Sequence, residues 1–375
     1  MEYTKTFNDL KSLFSSDKKE IIIPGSDMRI YNIRFRSDVS LNGFSKKGDE
    51  LIPENQSFSY PVFAPGRTES KKVILLLHGL NERSWIKYLA WAYYLALNTE
   101  SYVILFPISF HINRSPQAWK DPRAMIPFMK SRNSSLGEIS MSSFANIALS
   151  NRLTEDPLRF FNSGYQTASD IIKLLLGIKN GEHPIIPRTD KINIFAYSIG
   201  AFLAEILIMG NPEKLFDKSK LFIFCGGSVF SNMRGSSKLI MDSLAFERLY
   251  NYYLNDFEKS ITGESPLVEF LRSSQIGMAF RSMIDLGRLK SFRETILKKL
   301  GSQIHSITLL KDTVIPSEGV VATLGNKGKN SIVDVWDFPY LYSHENPFPI
   351  LDFPLNKKVD YCFETVFSEA RAFLS

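Results

Sequence analysis

Two kinds of hydrophobic pattern alternate along the chain. Short, almost uninterrupted apolar runs predict strands that are buried on both faces of a sheet. Segments in which apolar residues recur at spacings of three and four predict amphipathic helices. Their alternation predicts an α/β fold with a mainly parallel sheet and helices on both faces. The predicted strands are 72–77, 102–107, 192–195, 221–225, 304–310 and 331–336, and the predicted helices are 85–98, 162–178, 201–209 and 359–374.

The alternation is absent at the beginning of the chain and in one long polar segment. In residues 1–70, short apolar or alternating runs at 20–23, 29–35 and 57–63 are broken by Gly, Pro and Asn, which predicts an antiparallel β entry to the core sheet. Residues 108–157 are rich in Ser, Asn and Arg. A loop of this length inside a compact domain is usually functional or contains short helices of its own.

A third region, 228–287, shows helical patterns at 238–261 and 267–284, with many aromatic residues and methionines. We interpret this region as a helical cap inserted over the carboxyl ends of the strands. The alternative is a set of extra core helices behind the sheet. The predicted organisation is a β entry at 1–70, a core formed by 71–227 and 288–375, and a cap at 228–287.

Composition changes this picture mainly by exclusion. The 375 residues are 44% hydrophobic and 22% charged, which is ordinary for a globular protein, and the net charge is +6. Lysines and arginines are interspersed with acids, so we expect no nucleic-acid surface. Cys225 and Cys362 lie far apart in apolar stretches, which predicts buried free thiols and no zinc site.

The sequence also bears on location. Residues 1–20 lack the apolar segment of a signal peptide. No apolar run reaches the roughly 18 residues that are needed to span a bilayer. We therefore expect a cytoplasmic protein without stable membrane insertion. The pattern does not indicate an oligomeric state.

The most informative segment is Ala196-Tyr197-Ser198-Ile199-Gly200, which follows an apolar run and precedes a helical pattern. A strand, a five-residue turn with small ends and a central serine, and a helix form the arrangement of a nucleophile elbow. The common motif has glycine where this chain has Ala196, and a methyl group is still compatible with the sharp turn. We therefore predict that Ser198 is a nucleophile.

From Lys71 onward, this order of elements resembles the α/β-hydrolase fold. Four features carry the resemblance: His78-Gly79 after a strand, the elbow at Ser198, an acid after a later strand, and a histidine after the last strand. In that fold the triad residues follow in the order Ser, Asp or Glu, His. The resemblance implies a serine hydrolase that acts on an ester or related acyl bond of a small molecule, with no metal and no organic cofactor.

Asp312 is the predicted acid. It directly follows the strand 304–310, and its segment, KDTVIP, resembles the acid loop of that fold. The alternative interpretation is an aspartate that caps a turn. Asp334 and Asp337 are competitors, but they lie in or at the edge of the next predicted strand.

His344 is the predicted base, because it lies beyond the last strand, where this fold places its histidine. A surface-loop histidine is the alternative. Of the other candidates, His183 lies in a charged loop, His305 begins a strand, and His111 precedes the serine. The three residue types are needed together, since a serine hydroxyl requires a base during attack, and an aspartate orients and stabilises the imidazole.

The remaining site predictions concern the oxyanion and the substrate. The resemblance implies that the backbone amides of Leu80 and Ile199 bind the oxyanion. Arg114 is a candidate for binding a substrate carboxylate, and tying down the long loop is its alternative role. The residues expected around the pocket are His78, His111, Asn113, Arg114 and Tyr197.

Two other functions remain open at this point. The first is a non-catalytic binding or interaction protein that has kept the fold. The second is a peptidase or acyltransferase that uses the same three residues. A peptidase would need Arg114 or Glu82 facing Ser198 to bind a chain terminus. Geometry separates catalysis from binding, because an active site needs the three side chains in one chain of hydrogen bonds of roughly 2.6–3.2 Å.

Overall fold

The structure, a computed structural model, describes residues 1–39, 48–66, 70–325 and 332–375. The strands are β1 (Glu20–Ile22), β2 (Arg29–Arg36), β3 (Ser57–Ala64), β4 (Lys72–Leu77), β5 (Tyr102–Leu105), β6 (Lys191–Tyr197), β7 (Leu221–Phe224), β8 (Ile304–Leu309) and β9 (Val333–Trp336). The helices are α1 (Tyr3–Leu13), α2 (Pro53–Gln56), α3 (Ile86–Thr99), α4 (Pro122–Leu136), α5 (Ile147–Glu155), α6 (Leu158–Asn180), α7 (Ile199–Gly210), α8 (Ser243–Asn251), α9 (Phe257–Ser260), α10 (Pro266–Ser273), α11 (Gln275–Ser282), α12 (Lys290–Leu300), α13 (Ser317–Leu324) and α14 (Leu355–Leu374).

These strands form one sheet in the order β1-β2-β3-β5-β4-β6-β7-β8-β9. The pairs from β1 to β3 and the pair β3–β5 are antiparallel, and all pairs from β5 to β9 are parallel. The chain leaves β4 toward β5 and later returns to β6 on the other side of β4. Open α/β sheets bind ligands at such a switch point, outside the carboxyl ends of the strands. The predicted fold class is confirmed.

The parallel strands are buried on both faces because their side chains alternate between two apolar clusters. Along β4, for example, Leu75 and Leu77 belong to the first cluster, and Ile74 and Leu76 belong to the second. Helices α6 and α7 contribute to the first cluster, and α1, α3 and α14 contribute to the second. This two-sided burial explains why the strands appear in the sequence as continuous apolar runs.

Several elements differ from the sequence-based predictions. Helix α1 was not predicted, because only Tyr3 and Leu10 of its residues are buried and the remaining positions are mixed. The polar segment 108–157 contains α4 and α5, and α12 begins after the region that we interpreted as a cap. The predicted strand 331–336 is described from residue 332 onward, and residue 331 lies outside the described part of the chain.

The predicted helix 238–261 begins later than expected. Residues before 243 form a turn, and the side chain of Asp242 caps α8 by accepting a hydrogen bond from the amide of Ala245 at 2.9 Å. A π-helical turn at Tyr252–Asp256 then joins α8 to α9. Helix α11 packs against α7, and α8 packs against α5. The division of the chain into core and cap stays a prediction.

The two cysteines and the lengths of the helices bear on two further predictions. Cys225 and Cys362 are buried and form no disulfide, as predicted. Within the described ranges, no helix combines the length and the apolar character that crossing a bilayer requires.

Candidate active site

Ser198 lies at the sharp turn between β6 and α7, at the carboxyl edge of the sheet. Its backbone has φ 57° and ψ −126°, a conformation that a non-glycine residue rarely adopts. The residue is held there because β6 is a central strand, paired with β4 on one side and β7 on the other. The strained turn places the serine at the beginning of α7, where the helix dipole favours negative charge.

Close backbone packing explains the glycine that ends the motif. A Cβ atom at Gly200 would lie 2.7 Å from the carbonyl oxygens of both Leu77 and His78. The helix therefore approaches the end of β4 more closely than any side chain would permit. At the other end of the motif, Ala196 is fully buried and pairs with Leu77 of β4 in the sheet, so the methyl group fits where the common motif has glycine.

The structure brings Ser198, His344 and Asp312 together in one hydrogen-bonded chain. The Oγ atom of Ser198 lies 2.7 Å from Nε2 of His344, and Nδ1 of His344 lies 2.7 Å from Oδ2 of Asp312. The three residues are 4%, 3% and 4% exposed, respectively. Because the carboxylate of Asp312 accepts a hydrogen bond from Nδ1–H, the neutral form of the imidazole presents the lone pair of Nε2 to the serine hydroxyl.

The loops after β8 and β9 fix this geometry. The other carboxylate oxygen of Asp312 accepts hydrogen bonds from the amides of Val314 and Ile315, both at 2.9 Å. The ring of His344 stacks on Tyr197 with a centroid distance of 5.6 Å. The hydroxyl of Tyr197 also donates a hydrogen bond to the carbonyl of His344. The acid and the imidazole are therefore each held from two sides.

Asp334 and Asp337, the competing acids, have other partners. Oδ2 of Asp334 lies 3.2 Å from Nε2 of His305, and Asp337 pairs with Lys311 at 2.8 Å. Asp312 is the acid that contacts His344.

The amides of Leu80 and Ile199 are available at the same edge of the sheet. Neither donates a hydrogen bond to another group in the part of the chain that the structure describes. His78 positions the loop that carries Leu80, since its Nδ1 donates to the carbonyl of Gly79 at 2.8 Å and its Nε2 accepts from the amide of Ile108 at 2.9 Å. Burial, together with the nearby positive groups, holds the pKa of His78 well below its usual value, so the ring is neutral.

Arg114 lies away from Ser198 in a closed polar network. Its side chain is fully buried and pairs with Asp170 at 2.8 Å. It also donates to the Oδ1 and the carbonyl oxygen of Asn55 and stacks over the ring of Phe58 at 4.2 Å. These contacts tie the segment after β5 to α2, β3 and α6, and they leave no access for a substrate carboxylate.

The other predicted pocket residues separate into different places. Asn113 donates to the carbonyl of Ser59 at 2.6 Å and therefore anchors the loop to β3. His78 is fully buried beneath the loop that it supports. Tyr197 lines a cavity together with Ser198, and His111 lines a second cavity.

The two cavities meet at Leu80 and differ in chemical character. The polar cavity contains Ser198 and His344 and is lined by four charged side chains, Glu82, Arg83, Lys87 and Glu345. The apolar cavity begins at Leu80 and Ile199 and extends between α6, α7, α10 and α11. Its walls are mainly aromatic and aliphatic, and they include Phe160, Phe161, Phe202, Ile206, Phe270 and Phe280.

The sequence reasoning missed Lys87, which links three parts of the polar cavity. Its ammonium group pairs with Glu82, donates to the carbonyl of Glu345 at 2.9 Å and lies 4.8 Å from the ring centre of Tyr197. A lysine at a polar position of an amphipathic helix resembles any solvated surface lysine, so the sequence carried no signal for this role. Within the described residues, no group of three or more His, Cys, Asp or Glu side chains is arranged to hold a metal ion.

The strand order, together with the sharp serine turn between β6 and α7, defines an α/β-hydrolase fold. Within this class, the chain belongs to DUF6051, a family of unknown function whose model matches residues 42–375. No curated protein matches the chain.

Among solved structures, the chain is similar to several proteins at low sequence identity. An esterase of Pyrobaculum calidifontis is 11% identical with a TM-score of 0.45, and the match covers 98% of this chain and 92% of the esterase. The carboxylesterase EstE1 from a metagenomic library is 12% identical with a TM-score of 0.43 and coverages of 100% and 96%. Vibralactone cyclase is 12% identical with a TM-score of 0.45 and coverages of 100% and 86%. The fold assignment rests on the strand order and connectivity described above.

Proposed function

We propose that the protein is a serine hydrolase that cleaves a carboxylic ester, or a related acyl bond, through an acyl intermediate on Ser198. The observation that carries this proposal is the buried chain of two 2.7 Å contacts from Ser198 through His344 to Asp312. Both distances fall in the range that nucleophilic catalysis needs. A protein that only binds ligands has no need for this geometry at a strained turn.

Each group has a role in the first half of the reaction. The Oγ atom of Ser198 attacks the carbonyl carbon, and its proton passes to Nε2 of His344. The oxyanion that forms accepts hydrogen bonds from the amides of Leu80 and Ile199. Asp312 stabilises the imidazolium without taking its proton.

The second half returns the enzyme to its starting state. The imidazolium of His344 donates its proton to the leaving alcohol oxygen, and the bond between this oxygen and the carbonyl carbon breaks. Water then attacks the acyl group while His344 accepts a proton from it. Collapse of the second tetrahedral intermediate releases the carboxylic acid and restores the hydroxyl of Ser198.

An ester suits the site better than the terminus of a peptide chain. The two residues that would bind a terminus, Arg114 and Glu82, already have partners. Arg114 is enclosed with Asp170, and Glu82 accepts from Tyr88 at 2.7 Å and pairs with Lys87. Neither has a free charge directed at Ser198.

The proposal is tested by fluorophosphonate labelling, which requires an activated serine, combined with turnover of p-nitrophenyl esters. We expect the native protein to be labelled, Ser198→Ala to be unlabelled, and His344→Ala to be labelled only weakly. Loss of the serine or the histidine should lower kcat by roughly 10⁴- to 10⁶-fold.

Ser169→Ala is the matched control, because this α6 serine bonds to the carbonyl of Tyr165 rather than to an imidazole. It should be labelled like the native protein. A folded native protein that is neither labelled nor active on any ester would overturn the proposal in favour of a binding function. Labelling that persists in Ser198→Ala would place the nucleophile elsewhere.

A further inference from the structure

The two cavities lie on opposite sides of the bond that the proposed reaction breaks. The leaving alcohol must lie on the side of His344, because Nε2 of this residue gives it a proton. His344 lines the polar cavity and does not line the apolar one. The acyl group therefore extends from the amides of Leu80 and Ile199 into the apolar cavity.

One face of helix α7 leads from the serine along this apolar cavity. The residues of α7 that line it are Ile199, Phe202, Leu203 and Ile206. Their spacing of three and four places them in one row along the helix. Ile199 directly follows Ser198, and Ile206 lies seven residues further along α7. At a rise of about 1.5 Å per residue, the row extends about 10 Å away from the reacting serine.

Helix α11 closes the far end of the cavity. Ile276, near the beginning of α11, is part of the cavity wall. It packs so closely on α7 that a Cβ atom at Gly210 would lie 2.7 Å from its Cγ1 and 3.0 Å from its Cα. Gly210 lies one turn beyond Ile206. The two helices are therefore in contact directly beyond Ile206, and the cavity ends there.

The walls offer a ligand mainly apolar surface. Among the described residues, no Asp, Glu, Lys or Arg lines this cavity. The hydroxyl of Ser163 donates to the carbonyl of Ser109 at 3.0 Å, and Nδ1 of His111 donates to the same carbonyl at 2.8 Å. Nε2 of His111 is buried within the wall. Phe160 and Phe270, in contrast, are only half-buried, so their rings keep surface that a ligand can reach.

We propose, on the basis of the proposed hydrolase function, that the natural substrate is an ester of an apolar, medium-chain acyl group of about eight carbons. An extended chain advances about 1.3 Å per carbon when its C–C bonds are about 1.5 Å long, so about eight carbons fill a cavity about 10 Å deep. A longer chain would meet Ile276. A shorter chain would leave part of the apolar wall in contact with water, which forgoes the free energy of burying that surface.

The test measures kcat/KM for p-nitrophenyl esters of unbranched acids, from acetate through butyrate, hexanoate, octanoate and decanoate to dodecanoate. Since the leaving group is constant, the series reports only on the acyl side. We expect kcat/KM to rise by about threefold for each methylene up to octanoate. From octanoate to dodecanoate it should fall by about tenfold or more, because a closed cavity does not accept the extra length.

Gly164 allows the cavity to be narrowed by a single substitution. It lies on the same face of α6 as Phe161 and Ala168, and all three line the cavity. No heavy atom lies within 4 Å of the position that its Cβ would take, so a leucine side chain would project into the open space. In Gly164→Leu, we expect kcat/KM for octanoate to fall by about 30-fold or more, since about three methylene groups lose their place. The value for acetate should change by less than about threefold.

Gly177→Leu is the matched control for this substitution. Gly177 belongs to the same helix but does not line the cavity, and the nearest atom to its Cβ position is Oε2 of Glu182 at 3.9 Å. This variant should keep the native dependence on chain length. Ile276→Ala is the opposite change, because it removes the end wall, and it should move the optimum from octanoate to decanoate or dodecanoate. Circular dichroism and labelling of Ser198 show that each variant is folded.

The outcomes distinguish this inference from the proposed function. In a native protein that is labelled at Ser198, equal kcat/KM for acetate and octanoate, or a continued rise to dodecanoate, would overturn the acyl inference alone. The same holds if folded Gly164→Leu keeps the preference for octanoate. Absence of both labelling and ester turnover would overturn the hydrolase proposal and this inference with it.

Discussion

Two buried polar side chains along helix α7 have contrasting surroundings. Ser198 lies at the beginning of the helix, and Glu205 lies two turns later. The hydroxyl of Ser198 contacts an imidazole whose other nitrogen is also paired. Both carboxylate oxygens of Glu205 are fully buried, and neither has a hydrogen-bond partner within the described ranges. Burial raises the pKa of Glu205 well above its usual value, and the charge of Arg293 opposes this only in part.

The contrast teaches that burial of an ionisable group does not by itself indicate function. The fold around Ser198 supplies a partner for each atom that the proposed chemistry needs, and Asp312 alone accepts three hydrogen bonds. Among the residues that the structure describes, no such network forms around Glu205, and burial favours the neutral form of its carboxyl group. Buried polar networks of the first kind are the ones that hold a fixed geometry.

The largest effect should come from Asp312→Asn, which disrupts the hydrogen-bonded chain that ends at Ser198. The amides of Val314 and Ile315 would hold the asparagine oxygen, which leaves its NH₂ group facing Nδ1 of His344. The imidazole would then carry its proton on Nε2 and could not accept the proton of Ser198. We expect kcat for a p-nitrophenyl ester to fall by roughly 10⁴-fold with little change in Tm.

Asp337→Asn is the control for this change, because Asp337 lies in the neighbouring loop but pairs with Lys311. Its kcat should stay within about twofold of the native value, as is usual for changes away from the site. A decrease of less than tenfold in Asp312→Asn would contradict the role that we assign to the acid.

A smaller effect is expected from changing the turn itself with Gly200→Ala. The added methyl group would approach the carbonyl oxygens of Leu77 and His78 to 2.7 Å, so α7 must shift away from β4. We expect a loss of about 1–3 kcal/mol in the free energy of unfolding. Gly164→Ala provides the matched comparison, because this α6 glycine has open space around its Cβ position. It should raise stability by about 0.5–1 kcal/mol. Urea denaturation measures both, and equal effects of the two substitutions would contradict the close approach of α7 to β4.

Much of the fold, and the three residues at its centre, could be predicted because each depends on local order along the chain. Ser198, Asp312 and His344 each follow a predicted strand, and the carboxyl ends of parallel strands meet at one edge of a sheet. The strand order brings them to one edge of the sheet, and the loops after β8 and β9 then fix the hydrogen-bond distances. Their catalytic roles and the two oxyanion amides stay predictions.

Features that depend on contacts between distant segments could not be predicted in this way. The burial of Arg114 depends on Asn55 and Asp170, which lie on separate elements, so the sequence left its ligand-binding and structural roles open. The separation into an apolar and a polar cavity depends on how α11 packs against α7.

The smallest effect should come from Glu205→Met, which removes the buried carboxyl group that has no hydrogen-bond partner in the described ranges. Methionine removes the buried carboxyl at similar volume, and Arg293 keeps its hydrogen bonds to the carbonyls of Asp285 and Leu286. We expect stability to rise by about 1–2 kcal/mol near neutral pH.

The folded pKa of Glu205 lies above its usual 4.5, so the native protein keeps a proton that the unfolded chain has lost. The contribution of Glu205 to the free energy of unfolding is therefore complete below about pH 4.5 and is lost as the pH rises toward the folded pKa. The variant should consequently exceed the native protein in stability by more at pH 8 than at pH 5. Urea denaturation at the two pH values measures this difference, with the exposed Glu247→Gln as the control that should show none. A pH-independent difference between Glu205→Met and the native protein would mean that Glu205 has a partner in solution and that the contrast with Ser198 does not hold.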